Sequence, residues 1–261
     1  MTFSGGGVSS DEIVSQYCDN LLNSDDGIPE QIKLDDIRED LIVTDERKLY
    51  KPLTTVLFQE IDRFNNLLQI INSTLEKLIC AIKGTELMSA VLDDVYHSLF
   101  NNQVPRVWAA NAYPSLKPLQ SWVKDLKRRV DFFQKWILQG KPDQERYRMP
   151  FFFFPQGFLT GVLQSHAREN AIPIDTLNFD FRVVDPDKDA TKEDPLEPGA
   201  VLIYGLYLEG TRWDKKRRSL LDQYEDKMYD KMLPIAFIPK AIRTGMTRDI
   251  KKSAKPQQIY S

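Results

Sequence analysis

The 261-residue sequence predicts an α+β fold, helical in its first half and antiparallel β in its second. Apolar residues recur at steps of three and four up to Pro150. After Ala171 the period switches to two, as in "DTLNFDFRVV". Prolines and glycines punctuate the chain where the elements should end.

The first element is a helix in "SSDEIVSQYCDNLL". Ser9 or Ser10 can cap it, acids fill its first turn, and Ile13, Val14, Tyr17 and Leu21 share a face. A short helix is expected from Pro29 in "PEQIKLDDIRED". The longest periodic segment runs from Pro52 to Lys83, with Pro52 suited to the first turn and Gly84 to the C-terminal cap. Its stripe includes Leu57, Phe64, Leu68, Ile71, Leu75 and Leu78. A helix of that length, about 45–50 Å, needs an extended partner surface from later helices or from outside the chain. Glu86 to Asn101 predicts a further helix with Met88, Val91, Leu92, Val95 and Leu99 on one side. Pro105, Pro114 and Pro118 break the pattern. Ser115 can cap the next helix, which ends at Gln139 before Gly140 and Pro142 and buries Trp122, Leu126, Val130, Phe133 and Ile137.

At Pro150 four phenylalanines stand between two prolines, in "PFFFFPQGFLTGVLQSHA". No apolar run reaches the roughly 18–20 residues of a membrane span. The run reads as a seam where helices and sheet share a core, since Phe has the area to fill such a gap. A helix follows from Pro155. Leu177, Phe179, Phe181 and Val183 then alternate with polar residues in a strand with one wet face. "DPDKDATKEDPLEPG" is a polar loop, "AVLIYGLYLEG" a second strand, "WDKKRRS" a turn, and "LPIAFIPK" another strand.

Composition is that of an ordinary soluble protein, with a formal net charge of -3 that calls for neither nucleic acid nor an anionic membrane. Cys18 and Cys80, without a signal-peptide stretch in "MTFSGGGVSS", suit a reducing compartment. The glycines of "SGGGVSS" and "QGKPD" lack the lysine or the spacing of a phosphate loop. His97 has Asp93 and Asp94 nearby, which reads as a surface pair rather than a metal site. Glu209 and Asp214 in "LEGTRWD" could do acid–base work. The plainer reading is a strand ending in a Gly210 turn, with Arg212 bridging the carboxylates and Trp213 packing down. The basic runs Lys127 to Arg129 and Lys215 to Arg218 read as solvated surface. No catalytic residue, cofactor or metal site is expected.

Several stretches in fixed order resemble the C-terminal region of dynein heavy chains: "VPRVWAANAYPSLKPLQSWVKDLKRRVDFFQKWI", "FFFFPQGFLTGVLQSHAREN", "AIPIDTLNFDF" and "GLYLEGTRWD". "TTVLFQEIDRFNNLLQII" is similar to the helix that begins that region, and "SSDEIVSQYCDNLL" to the end of the sixth AAA+ module's lid. "LEGTRWD" is similar to the axonemal form, and "YPSLKPLQSWVKDL" leans toward an inner-arm type. The likeness runs from Val8 to Pro239. It implies a lid-like segment over 1–50, a helical part over 51–149, an antiparallel β part over 150–240 and a loose or truncated tail over 241–261. It further implies an incomplete, β-barrel-like second half, because family members continue beyond "QQIY"; the chain is then a fragment or a truncated gene model. "ERYRMP" departs from the Trp-Leu pair usual before the aromatic run.

The implied role is a non-catalytic segment that packs on the AAA+ ring of the same heavy chain. There it would modulate ATP-driven, minus-end-directed movement on microtubules in the axoneme of a cilium or flagellum. Intermediate and light chains would be partners through the complete complex, the microtubule only indirectly. The working residues would be packing residues: Phe151 to Phe154, Phe158, Leu159, Trp122, Trp136 and Trp213. The alternatives are an adaptor capturing a helical partner along the Pro52 to Lys83 stripe, or a small enzyme built on Glu209 and Asp214.

Overall fold

The structure is a computed structural model that describes residues 9–35, 37–44, 48–142, 146–184, 196–214, 216–217, 219–224, 226, 230 and 232–242. Most of the expected polar loop after β2, Lys215 and Arg218 of the second basic run, and nearly all of the expected tail lie outside these residues, as do the glycines of "SGGGVSS". The chain divides into two compact units, Met1–Pro142 with Phe151–Pro155, and Asp143–Pro150 with Gln156–Ser261.

The helical unit is built on α3 (Pro52–Ile82), with Pro52 in its first turn and Gly84 beyond its end at φ +75. Its stripe from Leu57 through Phe64, Leu68, Ile71 and Leu75 to Leu78 has no solvent exposure. The expected partner surface is supplied within the molecule by α1 (Ser10–Asn23), α4 (Ala90–Phe100), α5 (Arg106–Asn111) and α6 (Leu119–Gln139). Ser9 and Glu12 form a reciprocal capping box at α1. Ile13, expected on the buried face, is exposed, while Val14, Cys18 and Leu21 are buried.

Three helical expectations are corrected. The helix from Pro29 does not form. The side-chain amide of Asn65 accepts from Ile32 N–H at 2.8 Å and donates to Ile32 C=O at 2.9 Å, which holds that segment off the helical path. Only Glu39–Ile42 is helical there (α2). Next, α4 starts at Ala90 because Ser89 caps it, so Met88 and Val91 lie exposed. Finally, α6 starts after Pro118, where Asn102 C=O accepts Leu119 N–H and Asn102 Oδ1 accepts Gln120 N–H.

The second unit holds β1 (Arg146–Arg148), most of α7 (Pro155–Glu169), β2 (Leu177–Val183), β3 (Val201–Tyr204), β4 (Thr211–Asp214), β5 (Ser219–Asp222) and β6 (Ile235–Ala241). One sheet has the order β1-β3-β6-β2, and β4 pairs with β5 separately. β2 and β3 both run antiparallel to β6, so the expected antiparallel core stands, but among the described residues the sheet is open and not a closed barrel. A strand ahead of Pro150 was not expected. β1 pairs in parallel with β3, Tyr147 opposite Ile203, and both side chains are fully buried. β3 is shorter than expected because Gly205 turns at φ +78, where a Cβ would meet the Arg148 side chain at 3.1 Å.

Candidate functional site

The aromatic run folds into the helical unit. Phe151 and Phe152 are buried, Phe153 is half-buried, and Phe154 is 48% exposed. Phe152 meets Phe133 at 5.4 Å and Trp136 at 6.4 Å, Phe151 meets Phe132 at 5.7 Å, and Phe153 meets Phe64 at 4.7 Å and Tyr113 at 5.7 Å. All five pairs are edge-on, the arrangement that ring quadrupoles favour. Two deeply buried rings and contacts around Phe133 were expected. The partners named here belong to the helical unit, and Phe179 and Phe181 meet Phe237 at 5.4 and 4.9 Å.

The backbone of the run is tied down by Glu60, a residue on the apolar stripe of α3 with no solvent exposure. Its Oε2 accepts the Phe153 N–H at 2.6 Å and its Oε1 the Phe154 N–H at 3.1 Å. Arg63 approaches Oε1 at 3.0 Å. Burial pushes the Glu60 carboxyl above the usual range, and the two N–H groups and Arg63 oppose that shift. Arg63 also lies 6.0 Å from the Phe154 ring.

A second buried polar group flanks the run. Asp125 accepts from Lys117 Nζ at 2.6 Å and from Arg129 Nε at 2.8 Å. Arg129 is nearly buried, with its guanidinium 3.5 Å from the Tyr113 ring centre and 5.6 Å from that of Phe151. Burial alone would raise the Asp125 carboxyl, but the two cations hold it below the usual range. Burial pushes the Tyr113 phenol well up, and its hydroxyl has no hydrogen-bond partner among the described residues. Arg129 therefore departs from the solvated surface expected of its basic run.

Trp122 and Trp136 are buried in the helical unit, as is Trp108, whose Nε1–H donates to Thr74 Oγ1 at 2.8 Å. Phe158 is fully buried against Tyr147 at 4.6 Å, and Leu159 and Trp213 are half-buried. Asp214 Oδ1 accepts the Arg217 N–H at 2.7 Å, and that bond is the chief reason its carboxyl sits below the usual range. Asp214 also lies 3.6 Å from Arg212, whose guanidinium stacks on Tyr224 at 4.1 Å. Glu209 is exposed beside the Gly210 turn, at φ +69. Asp214 is thus a turn cap held ionised, the opposite of the raised carboxyl that an acid catalyst needs. His97 pairs with Asp93 at 3.6 Å, while Asp94 turns to Arg106 at 3.5 Å. Among the described residues no group of three or more His, Cys, Asp or Glu could hold a metal ion, and no helix is long and apolar enough to cross a membrane.

Sequence reasoning missed Glu60, Asp125 and Arg129. A signal was available: Glu60 lies three residues after Leu57 and four before Phe64, inside the stripe, and Asp125 and Arg129 sit beside Trp122, Leu126 and Val130. A charge placed on a buried face demands a partner.

Over residues 2–256 the sequence matches the family described as the C-terminal domain of the dynein heavy chain. The chain belongs to that family. This dynein C-terminal domain is 40% identical over 254 residues to dynein axonemal heavy chain 6 of Homo sapiens, a match covering 90% of the chain and 6% of the relative. It is 41% identical over 244 residues to dynein axonemal heavy chain 1 of Mus musculus, covering 94% and 6%. With dynein axonemal heavy chain 12 of Homo sapiens it shares 37% identity over 257 residues, covering 98% and 8%. The chain thus spans less than a tenth of the length of these curated relatives. The aromatic run and its carboxylate anchor lie inside the matched range, and so do all the described strands.

Proposed function

We propose that this chain is a non-catalytic segment of an axonemal dynein heavy chain. It packs on the AAA+ ring of the same heavy chain and modulates ATP-driven, minus-end-directed movement along microtubules in cilia or flagella. The observation that carries this reading is the identity of 37–41% to axonemal heavy chains over nine-tenths or more of the chain. Residues 1–50 act as the end of a lid-like helical segment, 51–149 as the helical part of the C-terminal region, and 150–240 as its β part. The ring is the direct partner. Intermediate and light chains and the microtubule are reached only through the complete complex, with no nucleic acid or membrane involved.

The buried residues then serve as scaffold. Edge-packed rings and an internally satisfied carboxylate give a stiff layer, which suits an element that resists or transmits movement of a ring. Two measurements test the proposal. The purified chain is expected to show no Mg-dependent ATP hydrolysis above background. A recombinant axonemal heavy-chain motor whose own C-terminal region is replaced by this sequence is expected to glide microtubules at a speed different from the motor lacking that region. Saturable hydrolysis by the chain alone, or a motor indifferent to its presence, sinks the proposal.

A further inference from the structure

From Pro29 to the start of α2 the sequence and the backbone disagree. Pro29 is preset for a first helical turn, neither glycine nor a further proline follows before Ile42, and Leu34, Ile37 and Leu41 recur at steps of three and four. Residues 29–33 are nonetheless neither helix nor strand, and α2 is a stub of four residues. Little holds the segment there. Ile32 is 2% exposed, whereas Glu30, Gln31, Lys33, Leu34 and Asp35 are all exposed. Among the described residues, the backbone bonds of 29–35 are those of Ile32 to the Asn65 side chain and a turn in which Leu34 C=O accepts Ile37 N–H at 3.3 Å. The next hold is Arg38, whose N–H donates to Ile137 C=O at 3.1 Å and whose guanidinium donates to Gln139 C=O at 2.9 Å. An open polar groove of about 450 Å³, lined on α3 by Gln69, Asn72, Ser73 and Glu76, keeps one flank of the segment in water.

A segment with few buried apolar contacts and few backbone bonds opens ahead of the fold around it. Here the opened segment has a second structure ready, because the docked one overrules its local preference. We propose that the segment from Pro29 to Ile42 is a two-state switch with Asn65 as its latch. In the latched state Ile32 is docked on α3 and the segment is a strap. In the released state Asn65 lets go of Ile32, Arg38 leaves α6, and the segment forms a helix continuous with α2. The strap lies in the connection between α1 and α3. The switch therefore decides whether that connection is tied to α3 at its middle. With residues 1–50 as the lid-like segment proposed above, movement arriving through α1 is the load that releases the latch; that step rests on the proposed function, and the switch itself does not.

Solution NMR on the isotopically labelled full chain tests the switch without a motor, so its failure is distinct from failure of the gliding experiment. The parent is expected to show a protected Ile32 amide and non-helical Cα shifts over residues 30–34. Asn65→Ala is expected to speed exchange of the Ile32 amide at least about tenfold. It is also expected to move those Cα shifts toward helical values, while far-UV circular dichroism shows the other helices retained. Asn65→Asp keeps an oxygen for the Ile32 N–H and loses the donor to Ile32 C=O. It is expected to fall between the two, and it decides the matter by the same criteria should Asn65→Ala not fold. The proposal is overturned if the Ile32 amide stays as protected in the variants as in the parent. It is equally overturned if that amide is freed and the Cα shifts remain non-helical.

Discussion

A carboxylate without solvent contact, such as Glu60, is tolerated only where its oxygens are met, and here two backbone N–H groups and Arg63 meet them. Glu60→Ala is expected to cost about 2–4 kcal/mol in urea melts, since it leaves those donors without an acceptor. Glu60→Gln is expected to cost less and to change the pH profile. The folded pKa of Glu60 is raised by burial, so its contribution is full below the unfolded value and is lost as pH rises through the folded one. The parent's advantage over Glu60→Gln should therefore shrink from acid to neutral pH; an advantage that grows would refute the raised pKa. Asp125 behaves in the opposite sense. Its pKa is held down by Lys117 and Arg129 against burial, so its contribution is present above the unfolded value and is lost as pH falls through the folded one. Asp125→Asn is expected to lose about 1–3 kcal/mol at neutral pH, a difference that closes in acid melts. Tyr113→Phe removes a buried hydroxyl that has no partner among the described residues and is expected to leave stability unchanged or raise it by up to about 1 kcal/mol.

At the scale of elements, the aromatic run separates into an inner and an outer half. Phe152→Ala empties a site walled by Phe133 and Trp136 and is expected to cost about 3–5 kcal/mol. Phe154→Ala acts on a ring 48% exposed and is expected to stay within about 1 kcal/mol. Equal losses for the two in thermal melts would mean that the run is not layered this way. The segment around Ile32 shows a comparable division of labour. Ile32 is buried, but its backbone is fixed by the side chain of Asn65. Local propensity favoured a helix from Pro29, and one amide 33 residues away decided otherwise.

For the whole molecule, three of the four tryptophans, Trp108, Trp122 and Trp136, lie buried in the helical unit, and Trp213 belongs to the other. Intrinsic fluorescence on denaturation should therefore report mainly the helical unit. Trp213→Phe is expected to leave its transition midpoint where it was, and a shifted midpoint would argue against that assignment. The helical unit was legible in the sequence because a period near 3.6 sustained over α3 and α6 leaves one solution, an apolar stripe turned inward. The caps at Ser9, Pro52, Gly84 and Gly140 were legible for the same local reason, and so were β2 and β6 from their composition and alternation. The family was also legible, in long ordered stretches such as "FFFFPQGFLTGVLQSHAREN", and the comparison with known proteins agrees. What only the tertiary structure decided is long-range. β1 is three residues, too short to show a period, and exists because β3, more than fifty residues later, pairs with it. Glu60, Asp125 and Arg129 look like surface charges one at a time, and only the fold brings Phe153 N–H, Lys117 and Tyr113 to them. A sequence states which residues prefer to be buried. Which buried charges are satisfied, and by what, depends on distances that exist only after the polypeptide has closed on itself.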